Sequence, residues 1–174
     1  DGHVTSVNRV QRLTAHQIIE EAMINANVCA ARFIEGAEQC SLYRVHEAPD
    51  AMKLEELNQD LRSVGLRLPK GVPEPKVFKD LLDDLGQRAN GWLYQQLVLR
   101  SMQQAVYTPK NQGHFGLGLE RYMHFTSPIR RYPDLLVHRA IKAIIAAKVK
   151  RLPNLEQLEL SLIHISEPTR RLCI

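Results

Sequence analysis

The stretch from Thr14 to Glu35 constrains the fold more than any other part of the chain. Ile19, Met23, Ala26, Ala30 and Phe33 recur there at helical spacing, and Gly36 is placed to end the run. Thr14-Ala15-His16-Gln17 has the capping-box form, in which a hydroxyl and an amide each satisfy a free backbone N–H. The pattern predicts a long helix with one apolar face. Such a face has to be buried against something, and later apolar runs can supply the partner layer. Asp50 can cap a second helix that carries Leu54, Leu57, Leu61 and Val64 on one side and closes at Gly65. A third, from about Pro75, buries Phe78, Leu81, Leu82 and Leu85 and stops near Gly86. A fourth, from Trp92 to Tyr107, is apolar on more than one side (Leu93, Leu97, Val98, Met102, Val106), which predicts an interior position. The last runs from about Pro133 to Lys148 with Val137, Ala140, Ile141, Ile144 and Ile145.

Extended structure is scarce. His3 to Val10 alternates enough to suggest a short strand, and Leu42 to Val45 reads as a brief extended segment. Pro69, Pro73 and Pro75 make a connector of residues 68–75, and Thr108 to Gly118 is a loop rich in Gly, Asn and Pro. The expected class is α+β and mostly helical.

With 174 residues, of which 44% are hydrophobic and 24% charged, the chain has the composition of an ordinary globular protein or part of one. No apolar run is long enough for a membrane helix, and the beginning does not read as a secretory signal. Cys29, Cys40 and Cys173 lack metal-ligand spacing, and Cys29 is expected as a buried free thiol in a reducing cytoplasm. A net charge of +4 permits a polyanionic partner without requiring one. From Leu160 the sequence changes character. Its Ile-His-Ile-Ser-Glu-Pro-Thr-Arg run reads as the translation of a sequencing adapter, the alternative being a disordered natural terminus. Residues 160–174 are therefore set apart, and with them the chemistry of His164 and Cys173.

The chemistry lies between His114 and Arg139. Here His114-Phe115-Gly116-Leu117 leads through Tyr122 to Phe125-Thr126-Ser127-Pro128-Ile129-Arg130-Arg131-Tyr132-Pro133-Asp134, and then to His138-Arg139. Ser127 followed by Pro128 can start a helix, and so can Pro133. Either start sets Arg130 and Arg131 near a positive helix end, where backbone N–H groups and two guanidinium forks can hold a phosphate. Paired arginines beside a helix start also fit a solvated surface, and each histidine fits a structural role. No catalytic triad, nucleotide-binding glycine loop or zinc spacing is present. Asp83-Asp84 is tempting as a metal pair but belongs to a solvated helix face.

This string closely resembles the signature of the RNB catalytic domain of the ribonuclease II/ribonuclease R family. Flanking segments agree: His16 to Ile24 and Asn27 to Arg32 look like the family's long helix, and Tyr43-Arg44-Val45-His46 and Leu99-Arg100-Ser101-Met102 recur in order. The resemblance covers about residues 1–150, as the C-terminal part of such a domain; residues 151–174 leave the pattern. It leans toward the ribonuclease R branch through Arg130-Arg131-Tyr132-Pro133-Asp134.

The resemblance implies processive 3′→5′ hydrolysis of single-stranded RNA to nucleoside 5′-monophosphates, with Mg²⁺ held by an aspartate cluster upstream of these segments. No metal ligand is expected in this fragment, which is then inactive alone. Arg130 maps onto the family's catalytic arginine at the scissile phosphate, and Arg131 and Arg139 onto phosphate binding. Glu20-Glu21 matches the acidic site that meets the terminal sugar, with Glu20 favoured. Ser127 and Tyr122 join the substrate-binding group. Tyr122 and Phe125 are expected to pack under the site, and Asp134, His138 and His114 to support it. The resemblance also implies a monomeric parent with cold-shock and S1-type RNA-binding domains. Missing neighbours of that kind leave an exposed apolar surface. The alternative is a non-catalytic RNA-binding module that keeps the phosphate-binding arginines. A helix-turn-helix DNA reader would need a unit that is not found.

Overall fold

A computed structural model of the chain describes residues 6, 13–63, 65–68, 74–88, 90–148 and 152–166. The expected strand at His3–Val10, apart from Ser6, and the side chain of Val64 lie outside these residues. The elements are α1 (Thr14–Gly36), β1 (Tyr43–Val45), α2 (Ala51–Arg62), α3 (Pro75–Gly86), α4 (Gly91–Ser101), β2 (Val106–Thr108), α5 (Tyr132–Ile145) and α6 (Leu155–Ser166), with a 3-10 turn at Phe115–Leu117. The chain is mostly helical, as its periodicity requires.

The expected hydroxyl cap of α1 is replaced by a histidine ring. Thr14 is already helical, and Leu13 stands at the cap, its N–H donating to His16 Nδ1 at 3.2 Å. The buried face also differs from the predicted one. Asn27, Ala30, Ala31 and Ile34 are buried, whereas Ile19 and Phe33 are 61% and 44% exposed and Met23 is 38% exposed. This helix has two apolar faces, and periodicity alone cannot say which one the rest of the chain covers. Ala15, Ile18, Ala22, Cys29 and Phe33 follow one another at steps of three, four and seven residues along the uncovered side. Cys29 is therefore exposed, not buried as expected.

Two cores divide the work. Ala30, Ala31 and Ile34 of α1 pack with Tyr43 and Val45 of β1, Met123, and Val137 and Ala140 of α5. Leu54, Leu57 and Leu61 of α2 pack with Phe78 and Leu85 of α3 and Val98 of α4. Each fully buried Leu or Ile contributes about 1.5–3 kcal/mol by leaving water, so these two clusters carry much of the stability. Asp50 caps α2 as its sequence position demands, accepting the Lys53 N–H at 2.8 Å.

The fourth helix departs from expectation. It ends at Ser101, Met102 is extended, and the remainder forms β2, antiparallel to β1 with Tyr43 opposite Thr108 and Val45 opposite Val106. Nor is α4 interior: Trp92, Leu93 and Leu99 are exposed while Val98 is fully buried. The strand pairing wins because Val106, Tyr107 and Thr108 are β-formers, and β1 is otherwise a strand without a partner. The set-apart tail begins inside α6, whose Leu158 is buried with Leu42 and Leu136 and whose Leu162 packs on the same cluster.

Candidate functional site

One amide on α1 organises the segment that carries the chemistry. Asn27 is 3% exposed, on a face otherwise made of alanine and isoleucine. Its Oδ1 accepts the backbone N–H of Phe125 at 2.8 Å and of Thr126 at 3.2 Å, and its Nδ2 donates to the Tyr122 hydroxyl at 2.9 Å. The other side of the segment is pinned by β1, where the Arg44 N–H donates to the Tyr122 carbonyl at 2.9 Å. Residues 122–126 are thus held between a helix and a strand.

The arginine turn follows. The Ser127 carbonyl accepts the N–H groups of Arg130 and Arg131 at 3.3 and 3.1 Å, and α5 starts at Tyr132 with Pro133 in its first turn. Of the two possible starts, the chain uses the second. Asp134, 0% exposed, reaches back from α5: its Oδ2 accepts the Ser127 N–H and an Arg131 Nη2–H, both at 2.8 Å. His138, one turn further, donates Nε2–H to the Phe125 carbonyl at 2.9 Å and stacks on the Phe125 ring at 4.2 Å. With Arg131 committed to Asp134, the neighbouring Arg130 is exposed, and its guanidinium makes no hydrogen bond or ion pair among the described residues.

Beside this turn lies an open groove of about 460 Å³. Glu20 and Asn27 of α1 form one wall, and Tyr122, Thr126 and Arg131 the other, with His16 and Met23 at the rim. The structure therefore brings together Glu20, Tyr122 and Arg131. Glu21 is exposed and absent from the lining; its carbonyl accepts from Asn25 Nδ2 at 3.0 Å. Arg130 and Arg139 are exposed outside the groove lining. Ser127, Asp134 and His138 act behind it, and Tyr122 is buried and Phe125 half-buried under the turn. His114 is not part of the groove lining; it is edge-on to the Tyr122 ring at 5.2 Å and stacked on His46 at 5.1 Å. Asp83 and Asp84 are exposed on α3, and Asp84 pairs with Arg88.

Sequence reasoning missed Asn27, Thr126 and a pair behind Arg131. In that pair, Tyr107 of β2 and His124 share a hydrogen bond of 2.7 Å between the phenol and Nδ1, and the Arg44 guanidinium lies 4.6 Å from the Tyr107 ring centre. Burial raises the Tyr107 phenol, so it stays protonated. A polar amide in the middle of an apolar helical stripe was the available signal for Asn27, since a buried amide must be partnered.

Two histidines make the site sensitive to acid. Burial, then His46 and Arg44, pulls His114 down to about 4; burial, then Arg131, pulls His124 down to about 4. Unfolded, each would titrate near 6.5. Between these values the unfolded chain binds the protons and the folded chain does not, so stability is full above 6.5 and falls as the pH drops toward 4. We expect urea midpoints to decline steadily across that window, with His124→Asn flattening the slope. A midpoint independent of pH from 7 to 4.5 would contradict these environments.

Among the described residues, no three His, Cys, Asp or Glu side chains come close enough together to hold a metal ion, so a resident metal does not fit them. No described helix is long and apolar enough to cross a membrane.

Comparison with known proteins bears on this geometry. The RNB domain family model matches residues 1–147. Ribonuclease R of Escherichia coli is 47% identical over 144 residues, covering 82% of this chain and 18% of its own length. Ribonuclease R of Aquifex aeolicus is 42% identical over 171 residues, covering 97% of this chain and 24% of its own. Among solved structures, Mycoplasma genitalium RNase R in complex with ribose-methylated single-stranded RNA superposes with a TM-score of 0.77 at 28% identity, covering 89% of this chain and 25% of that one. The chain thus spans about a fifth to a quarter of the length of the relatives it matches.

Proposed function

The chain belongs to the RNB domain family, and from that premise we propose that it forms the arginine-bearing part of a 3′→5′ exoribonuclease that hydrolyses single-stranded RNA to nucleoside 5′-monophosphates. The observation that carries this reading is the locked turn. Asp134 occupies Arg131 and fixes Ser127, which leaves the exposed Arg130 guanidinium on a rigid support next to the groove. A planar fork held this way suits the oxygens of a phosphodiester, and it can stabilise the charge that builds on them during cleavage. Glu20, across the groove from Arg131, suits the hydroxyls of the terminal sugar, while Arg139 and Arg131 add positive field for the backbone. Ser127 serves through its backbone more than its hydroxyl.

A divalent cation, Mg²⁺ in this reading, would supply an activated water. The described residues do not fit it, so its aspartate ligands are assigned to another part of a longer protein, and no step is drawn through the ion. This chain alone then binds RNA without cutting it. Cold-shock and S1-type domains, a monomeric parent and a cytoplasmic location belong to the same proposal.

The test is a gel shift of the full chain with labelled single-stranded RNA and a matched DNA. Arg130→Ala should weaken RNA binding by about tenfold, and the loss should shrink as salt rises, because a phosphate contact is removed. Unchanged binding would remove Arg130 from the interface.

A further inference from the structure

We propose that Asn27 is a positioning residue that commits the Tyr122 hydroxyl to donate into the groove, making Tyr122 a second recognition group for a sugar hydroxyl beside Glu20. The inference rests on the reading of the groove as an RNA site and adds two residues to it.

The chain of donors and acceptors leaves a single arrangement. Backbone N–H groups can only donate, so the Asn27 atom facing Phe125 N and Thr126 N is the oxygen. The amide cannot be flipped without setting donors against donors. Its nitrogen must therefore face the Tyr122 hydroxyl at 2.9 Å, and the phenol oxygen accepts there. The phenol proton has to point elsewhere, and among the described residues no acceptor takes it. Tyr122 is 7% exposed, and it lines the groove together with Glu20 and Arg131.

The groove thus offers an acceptor in the Glu20 carboxylate, a donor in the oriented Tyr122 hydroxyl and a cationic donor in Arg131. A hydroxyl is the ligand group that can donate to a carboxylate and accept from a phenol at once. A carbon–hydrogen group in its place would leave a nearly buried donor unpaired, which is the kind of mismatch that produces strong rejection. A sugar bearing a 2′-hydroxyl meets the requirement, and its 2′-deoxy counterpart does not.

The experiment compares two fluorescent oligoribonucleotides of one sequence, one of them 2′-deoxy at its 3′-terminal nucleotide only. Each is titrated with the full chain and followed by anisotropy. The unmodified chain should prefer the all-ribose oligomer. Tyr122→Phe, which keeps the ring and removes the proton, should cut that preference by about tenfold or to none. Asn27→Asp should do the same by another route. One carboxylate oxygen keeps the two backbone bonds, while the other draws the Tyr122 proton out of the groove. Thermal melts show whether each variant is folded, and Tyr122→Phe decides alone if Asn27→Asp is not. An equal loss of affinity for both oligomers would mean a purely structural role and overturn the proposal, as would an unchanged preference in Tyr122→Phe. An unmodified chain that binds both oligomers equally would overturn it too, while leaving the RNA reading standing. If the unmodified chain binds neither, the RNA reading itself fails and takes this inference with it.

Discussion

Asp134→Ala is expected to lower the unfolding free energy by about 3–4 kcal/mol, because it breaks a buried charge pair and leaves its hydrogen-bond donors behind. The carboxylate is 0% exposed, and its Oδ2 holds both the Ser127 N–H and the Arg131 guanidinium. Arg131 is 22% exposed at its side chain, so water can recover part of its hydration, which keeps the figure from the top of the usual range. The Ser127 N–H also loses its acceptor. Asp134→Asn keeps an acceptor for both donors and should cost only about 1 kcal/mol, since it removes charge and not geometry. Urea unfolding followed by circular dichroism measures both. The two variants should also separate in RNA binding, because only alanine unhitches the turn that carries Arg130. Equal and small effects of the two substitutions would mean that the turn is held by its own backbone bonds and not by Asp134.

Asn27→Ala should be nearly as damaging, at about 3 kcal/mol, for a different reason. No charge is involved. Two backbone N–H groups, those of Phe125 and Thr126, lose their acceptor in a largely buried setting, and each such orphan costs about 1–3 kcal/mol. For a chain of this length that is a fall in Tm on the order of 10 °C. Asn27→Asp retains the acceptor and should lose much less, so the pair of variants distinguishes the acceptor's contribution from the volume of the side chain. Asn27→Leu, which fills the space without accepting, should resemble alanine. If leucine were tolerated, the amide would matter for packing alone.

How much of this was legible depends on how local its cause is. The span of α1, the Asp50 cap of α2 and the Pro75 start of α3 follow from neighbouring residues, and the structure places them where the sequence does. The end of α4 was misread because apolar residues continue through Val106. What stops the helix is a strand partner, Tyr43–Val45, far away in the chain. The exposure of Ile19, Phe33 and Cys29 has the same origin: an apolar face is visible in the sequence, but its partner is not. The cap at Leu13 escaped notice because it uses a histidine ring where a hydroxyl was expected.

At the site, the arginine turn was legible because its residues are consecutive, and Asp134 and His138 because they share a helix face with its start. Asn27 was not, since its partners, Tyr122, Phe125 and Thr126, come from a different element. Glu20 and Glu21 are adjacent letters, and only the rotation of α1 about its axis sends the first to the groove.

The central claim is that this chain carries the arginine side of an exoribonuclease active site. The direct test replaces the matching segment of E. coli ribonuclease R, to which the chain is 47% identical over 144 residues, with the segment from this chain. Degradation of 5′-labelled single-stranded RNA is then followed with Mg²⁺ present. The hybrid should shorten RNA from its 3′ end, and Arg130→Ala within it should slow cleavage by about 10²–10³-fold, the usual loss when a transition-state donor is removed. A hybrid that folds and binds RNA but leaves it intact, or one in which Arg130→Ala cleaves at full rate, would contradict the claim.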